Sequence, residues 1–135
     1  MNNRLYDPWD DASLLAARGR SPLNRLVVVL GAEAWCSKCR DFKPVFEQAA
    51  RHAPSKDLWI WLDLEEHADF LGGYLPEDLP ELLIYRNTEL VQRAVLEDVH
   101  QFQALLTAPE QHFPAETVPE IASLLMEKDW CIDES

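Results

Sequence analysis

Basic residues are scarce in this 135-residue chain: 12 lysines and arginines stand against 24 aspartates and glutamates, a net charge of −12. Such a molecule as a whole repels nucleic acid and anionic membrane surfaces, and its surplus acid serves first as a solubility device. Long apolar runs are lacking as well. The longest cover about half a dozen residues against the roughly 20 that cross a bilayer, so no membrane span is expected. Residues 1–20 carry Asp7, Asp10 and Asp11 but no sustained apolar stretch, so no secretory leader is legible and a cytoplasmic address is expected. Cysteine is limited to three, and only two lie close together, which argues against a disulfide framework and for a reducing compartment. Repeats and low-complexity tracts are absent. What is present, 47% apolar and 27% charged, reads as one soluble domain over residues 1–135, long enough for one core and too short for two.

The pattern along the chain alternates between strand and helix. Asp7-Pro8 with Asp10 reads as an N-cap, a proline at the first helical position and an acid behind it, opening a helix that ends near Gly19. Leu26 to Leu30 is a short, wholly apolar run, as a strand buried on both faces requires. From Cys36 to His52 the period becomes helical. Phe42, Val45, Phe46 and Ala49 share a stripe with Cys39, while Arg40, Asp41, Lys43, Glu47 and Arg51 cover the other side. Pro44 interrupts this helix and predicts a kink or offset. Leu58 to Leu62 is a second buried strand, so the unit is strand–helix–strand with a parallel, right-handed crossover. A short helix is expected over Glu65 to Phe70, closed by Gly72-Gly73. Glu81 to Tyr85 and Glu89 to Val95 read as a strand pair joined at Asn87-Thr88. Val99, Phe102, Leu105 and Leu106 mark a closing helix. The core thus spans about residues 22–108. Residues 109–135 form an extension in which Thr117 and Glu120 suggest a capping box before a helix through Ile121, Leu124 and Leu125.

The chemistry concentrates in Trp35-Cys36-Ser37-Lys38-Cys39, at the junction of the first buried strand and the longest helix. Thiols at i and i+3 on a first helical turn are close enough to bridge without moving the backbone. Cys36 takes the exposed tip, where unpaired helix N–H groups favour an anion, and Lys38 adds positive charge; its thiol is expected below the usual value of about 8.5. Cys39 faces the core. The same spacing serves zinc sites, but no second C-x-x-C or H-x-x-x-H pair accompanies it, so none of the four histidines is assigned to a metal. Cys131, in the acidic tail, is read as a bystander.

Taken together these residues resemble the thioredoxin family over roughly Leu26 to Leu106. Trp35-Cys36-Ser37-Lys38-Cys39 is similar to the family's W-C-x-x-C. Pro44 sits where the family kinks its active-site helix, and Leu79-Pro80 before Glu81-Leu82-Leu83-Ile84-Tyr85 is similar to its apolar residue, cis-proline and following strand. The resemblance implies an α/β fold with a central mixed β-sheet flanked by helices, here with an added C-terminal helix. It also implies thiol–disulfide exchange on protein disulfides, with Cys36 the nucleophile, Cys39 the resolving thiol, and Trp35, Lys38, Leu79 and Pro80 contacting substrate. The redox-active Cys36–Cys39 disulfide takes the place of a cofactor. The partners implied are a protein disulfide and a thiol reductant or reductase, and the protein itself is expected to be a monomer.

Departures from the family pattern point to specialisation. The family's buried acid, six residues before the first cysteine, is replaced by Leu30, and the lysine near it by Trp61. Asp78 stands for a small residue two before the proline, and Leu96 for a glycine after the last strand. Loss of the acid leaves no evident base for Cys39, with Glu33 the nearest acid upstream. The competing reading is an adaptor or chaperone-like binding module in which the dithiol is regulatory or vestigial.

Overall fold

A computed structural model describes residues 4–19, 25–71, 74–86, 89–113 and 121–126. The elements are β1 (Leu5–Tyr6), α1 (Ala12–Gly19), β2 (Leu26–Gly31), α2 (Ser37–Arg51), β3 (Leu58–Asp63), a single 3-10 turn (Ala68–Phe70), β4 (Glu81–Arg86), β5 (Glu89–Val95), α3 (Val99–Thr107) and α4 (Ile121–Met126). The five strands form one sheet in the order β1-β3-β2-β4-β5. β1, β3 and β2 run parallel, while β4 is antiparallel to β2 and to β5. This is the mixed sheet flanked by helices that the sequence implies.

β2 and β3 are buried at every residue, as their unbroken apolar runs predict. Alternation divides their side chains between two layers. On one side, Trp59 and Trp61 of β3 meet α2 and α3: Phe46 stacks on Trp59 with centroids 5.2 Å apart, and Phe102 packs edge-on against Trp59 at 6.1 Å. Phe42 meets Phe102 edge-on at 5.1 Å. The buried stripe of α2 is Cys39, Phe42, Phe46 and Ala50, so Ala50 takes the place expected of Ala49, which lies half-buried at the margin with Val45. Pro44 lies inside α2, and the helix continues through it to Arg51. On the other side, α1 packs against α4, whose Ile121, Ala122 and Leu125 are buried. The C-terminal helix therefore covers an apolar face of its own domain.

Three expectations are corrected. β1 was not foreseen, because two residues carry too little alternation to register; Leu5 and Tyr6 are held by pairing with Trp59 and Ile60. The first helix begins at Ala12, later than Pro8. Asp11 N–H reaches the Asp7 carbonyl at 2.8 Å, while the Asp11 carboxylate takes Arg4 in two hydrogen bonds of 3.1 and 3.0 Å, so residues 8–11 form a turn tied to β1. The helix expected over Glu65 to Phe70 is a turn followed by the short Ala68–Phe70 segment. Its bonds are of the tighter i to i+3 kind, Phe70 N–H to the His67 carbonyl at 3.0 Å and Leu71 N–H to the Ala68 carbonyl at 3.1 Å. The closing pair Gly72-Gly73, the turn Asn87-Thr88, the capping box Thr117/Glu120 and Cys131 lie outside the described residues.

Candidate active site

β2 ends at Gly31, and the chain turns through residues 32–36 onto the tip of α2. Glycine is required there: a Cβ on Gly31 would stand 2.4 Å from Cζ2 of the Trp61 indole. The turn is closed by Cys36 N–H donating to the Ala32 carbonyl at 2.9 Å. Cys36 is the N-cap of the 15-residue α2, in extended conformation, and its Sγ accepts the Cys39 N–H at 3.2 Å. The two cysteines form a disulfide with Cα atoms 5.3 Å apart. Cys36 is half-buried and Cys39 has no exposed surface, as the helical stripe predicts.

An acid holds this turn from the neighbouring strand. Asp63, the last residue of β3, accepts Glu33 N–H on Oδ1 at 2.9 Å, and Glu65 and Glu66 N–H on Oδ2 at 3.0 and 3.1 Å. Its own N–H donates to His67 Nδ1 at 2.8 Å. Burial opposes ionisation of Asp63, but the three backbone donors outweigh it and hold the carboxyl below its ordinary value of 3.8. A depressed carboxyl stabilises the fold above the unfolded-state value, and that contribution is lost as the pH falls through the folded one. Asp63→Asn is expected to cost about 1–3 kcal/mol at neutral pH and to flatten the loss of stability below about pH 4. Urea titrations across that range check it, and an unchanged acid limb overturns it. Sequence reasoning missed Asp63; the signal was a lone acid closing an otherwise apolar strand.

Glu33 does not supply a free base. Its carboxylate binds Lys43 Nζ at 3.0 Å, and its carbonyl accepts from Arg40 at 2.7 Å. Beneath this pair lies Trp61, with Lys43 Nζ 5.6 Å from its ring centre. Leu30 is fully buried, and its antiparallel partner in β4 is Glu81. Register partners share a face, so Leu30 and Glu81 lie on the side opposite Trp61 and α2. Glu81 is nearly buried and bound to Arg93 at 3.0 Å and to the Tyr74 hydroxyl, which donates at 2.5 Å. Burial, and then the bond to Glu81, push the Tyr74 hydroxyl up to about 12. This cluster pins both ends of the segment from Tyr74 to Glu81.

That segment forms the second wall of the site. It carries a cis peptide bond at Leu79-Pro80, and the Pro80 carbonyl accepts Leu96 N–H at 2.8 Å. Two clefts flank the tip of α2. One lies between Trp35-Cys36-Ser37 and Pro76 to Leu79. The other lies between α2, Pro80 and residues 96–99, and Lys38 borders both. The structure therefore gathers Trp35, Cys36, Lys38, Cys39, Leu79 and Pro80 at one place. Trp35 is 62% exposed, Lys38 is exposed, and Leu79 and Pro80 are buried against the wall.

The family model for thioredoxin matches residues 21–108. The chain belongs to the thioredoxin family. A thioredoxin of Rickettsia bellii (strain RML369-C) is 25% identical over 72 residues, 53% of this chain and 67% of that protein. Thioredoxin H4 of Arabidopsis thaliana is 25% identical over 81 residues, 60% of this chain and 68% of that protein. Among solved structures, thioredoxin NaTrxh of Nicotiana alata superposes with a TM-score of 0.64 at 16% identity, covering 82% of this chain and 96% of that one. Thioredoxin F of spinach chloroplast gives 0.56 at 15% identity, over 78% and 93%. At such identities the structural likeness speaks for the fold alone, and the fold is that of thioredoxins.

Membership directs attention to the dithiol and away from the one other cluster of candidate ligands among the described residues. Asp7, Glu66 and His67 bring three ligand atoms within 4.8 Å of one another. His67 Nδ1 accepts a backbone N–H, so the proton of the neutral ring sits on Nε2, 3.5 Å from both carboxylates. A metal-binding imidazole does the reverse, donating from its far nitrogen and offering a lone pair to the ion. The donor set does not fit a metal.

Proposed function

We propose that the protein is a thiol–disulfide oxidoreductase acting on protein disulfides, specialised rather than a general reductase. The observation that carries this reading is the Cys36–Cys39 pair at the head of α2, facing the cis Leu79-Pro80 wall across an open cleft. In the reduced protein the Cys36 thiolate attacks one sulfur of the substrate disulfide. An intermolecular S–S bond forms, and the expelled thiolate takes a proton from water. Cys39 loses its proton to water and attacks the Cys36 sulfur, closing the internal disulfide and releasing the second substrate thiolate, which is protonated in turn. Two electrons and two protons pass to the substrate, and an external dithiol restores the protein by the same exchange. Trp35 and Lys38 border the incoming chain, and Leu79 and Pro80 form the wall on which it rests.

Specialisation is supported by the buried apolar residues Leu30 and Trp61, which stand on opposite faces of the sheet, by the exposed Asp78 on the wall, and by Leu96 bordering the second cleft. The reducing direction is supported by a chain with only three cysteines. The adaptor reading rests on Leu30, Asp78 and Leu96 as well as on the terminal additions as partner surfaces, and of these grounds the last is weakened, since α4 buries its apolar residues against α1. The deciding experiment is reduction of a protein disulfide by dithiothreitol, with the uncatalysed rate as baseline. Catalytic amounts of this protein are expected to raise the rate. An internal disulfide that forms and reduces without any turnover overturns the proposal and favours a regulatory dithiol.

A further inference from the structure

The surroundings of the dithiol are unusual in two independent respects. First, the clefts on either side of Lys38 are lined by Asp41, Glu77, Asp78, Glu97 and Asp98, and Lys38 is the sole cation bordering them among the described residues. All five acids are exposed, and none is paired to a cation among the described residues. The ion pairs among the described residues lie elsewhere, Asp11 with Arg4, Glu33 with Lys43, Asp57 with Arg25, Glu81 with Arg93 and Glu110 with Arg86, and leave the charge of the clefts uncompensated. Second, of the five exposed large apolar side chains among the described residues, Trp35 and Val99 line the clefts and Leu75 adjoins Pro76 on the wall. Exposed apolar surface beside a reactive group marks a contact surface. Uncompensated charge around it selects the partner's sign.

Resting on the disulfide-exchange reading, we propose that the substrates are basic proteins: segments in which the target disulfide is flanked by lysine or arginine together with apolar residues. The apolar side chains settle on Trp35, Leu75 and Val99, while the basic ones meet Glu77 and Asp78 on one side of Cys36 and Asp41, Glu97 and Asp98 on the other. The field of a molecule carrying −12 adds attraction at longer range. Acidic disulfides, glutathione disulfide among them, are disfavoured by the same charges.

The test uses synthetic peptides that share one intramolecular disulfide and differ only in having lysines, glutamines or glutamates beside it. Turnover with dithiothreitol gives kcat/KM. Serine-for-cysteine forms of the same peptides, followed by fluorescence anisotropy, give binding without any redox step. The lysine peptide is expected to exceed the glutamate peptide by about tenfold or more in both readouts at low salt, several exposed charge pairs acting together. Half-molar salt is expected to shrink that ratio several-fold. The triple variant Glu77→Gln, Asp78→Asn, Glu97→Gln is expected to do the same. Because the ratio is taken within each protein, a change in overall rate cancels, and the salt dependence of the unaltered protein stands if the variant does not fold. A binding ratio within twofold of unity overturns the inference. Absence of turnover on every peptide, with the binding preference intact, instead overturns the disulfide-exchange reading alone.

Discussion

Cys36→Ser is expected to reduce turnover to the uncatalysed baseline, whereas Cys39→Ser is expected to preserve the first half of the reaction and stop after it. The asymmetry follows from where the backbone puts two chemically identical groups. Cys36 caps α2, is half-buried beside an open cleft, and accepts the Cys39 N–H on its sulfur. A thiolate there gains from that hydrogen bond and from the partial positive charge at the start of a 15-residue helix. Cys39, one turn on, has no exposed surface and no route to an external disulfide. It reaches only the sulfur of Cys36. A serine hydroxyl in place of Cys36 cannot form the intermolecular disulfide, so nothing downstream occurs. A serine in place of Cys39 leaves that disulfide without an internal attacker, and it should accumulate to one substrate per protein molecule. Mass spectrometry of Cys39→Ser mixed with a disulfide peptide checks this. Substrate attached to Cys39 in the Cys36→Ser protein would reverse the roles assigned here. With Glu33 held by Lys43 and so not free to serve Cys39 as a base, the mixed disulfide should also build up transiently in the unaltered protein, as stopped-flow kinetics would detect.

The sequence made the centre of the molecule legible and its margins much less so. β2, β3, β4, α2 and α3 were readable because each carries either an apolar run or a clear helical stripe, and β5, interrupted by Gln92 and Arg93, was readable as the partner of β4 across Asn87-Thr88. The dithiol was readable because a thiolate is favoured at a helix start, and Leu79-Pro80 through the resemblance to thioredoxins. Residues whose role rests on particular hydrogen bonds were not. Asp63, His67 and Glu81 are buried polar groups whose roles depend on which backbone N–H or side chain lies opposite, and no spacing rule records that. Gly31 reads as an ordinary residue at a strand end until the indole of Trp61 is placed against it. The segment expected to be a helix from Glu65 closes with i to i+3 bonds at Phe70 and Leu71, and its local pattern does not tell that tighter turn from an α-helix.

The same contrast between packed and reactive residues of α2 sets the last expectation. Phe46→Ala should cost about 3–5 kcal/mol of stability, the usual consequence of hollowing a packed aromatic site. Phe46 has no exposed surface and touches three other aromatics: Trp59 stacked at 5.2 Å, Phe102 at 5.9 Å and Trp61 at 6.4 Å. Its removal takes away the one side chain of α2 that joins both tryptophans of β3 to α3, and indoles on a strand cannot collapse into the void. Against a total of about 5–15 kcal/mol for a domain of ordinary stability, the loss is about a fifth or more, and a fall in melting temperature on the order of 10 °C or more follows. Yet Phe46 lies almost three helical turns below Cys36, so the folded fraction should turn over at the unaltered rate. Urea unfolding measures the first quantity, and activity below the melting transition measures the second. A stability change under about 1 kcal/mol would mean that Phe46 does not tie α2 to the sheet. Normal stability with lost activity would mean that the packing of α2 tunes the dithiol directly.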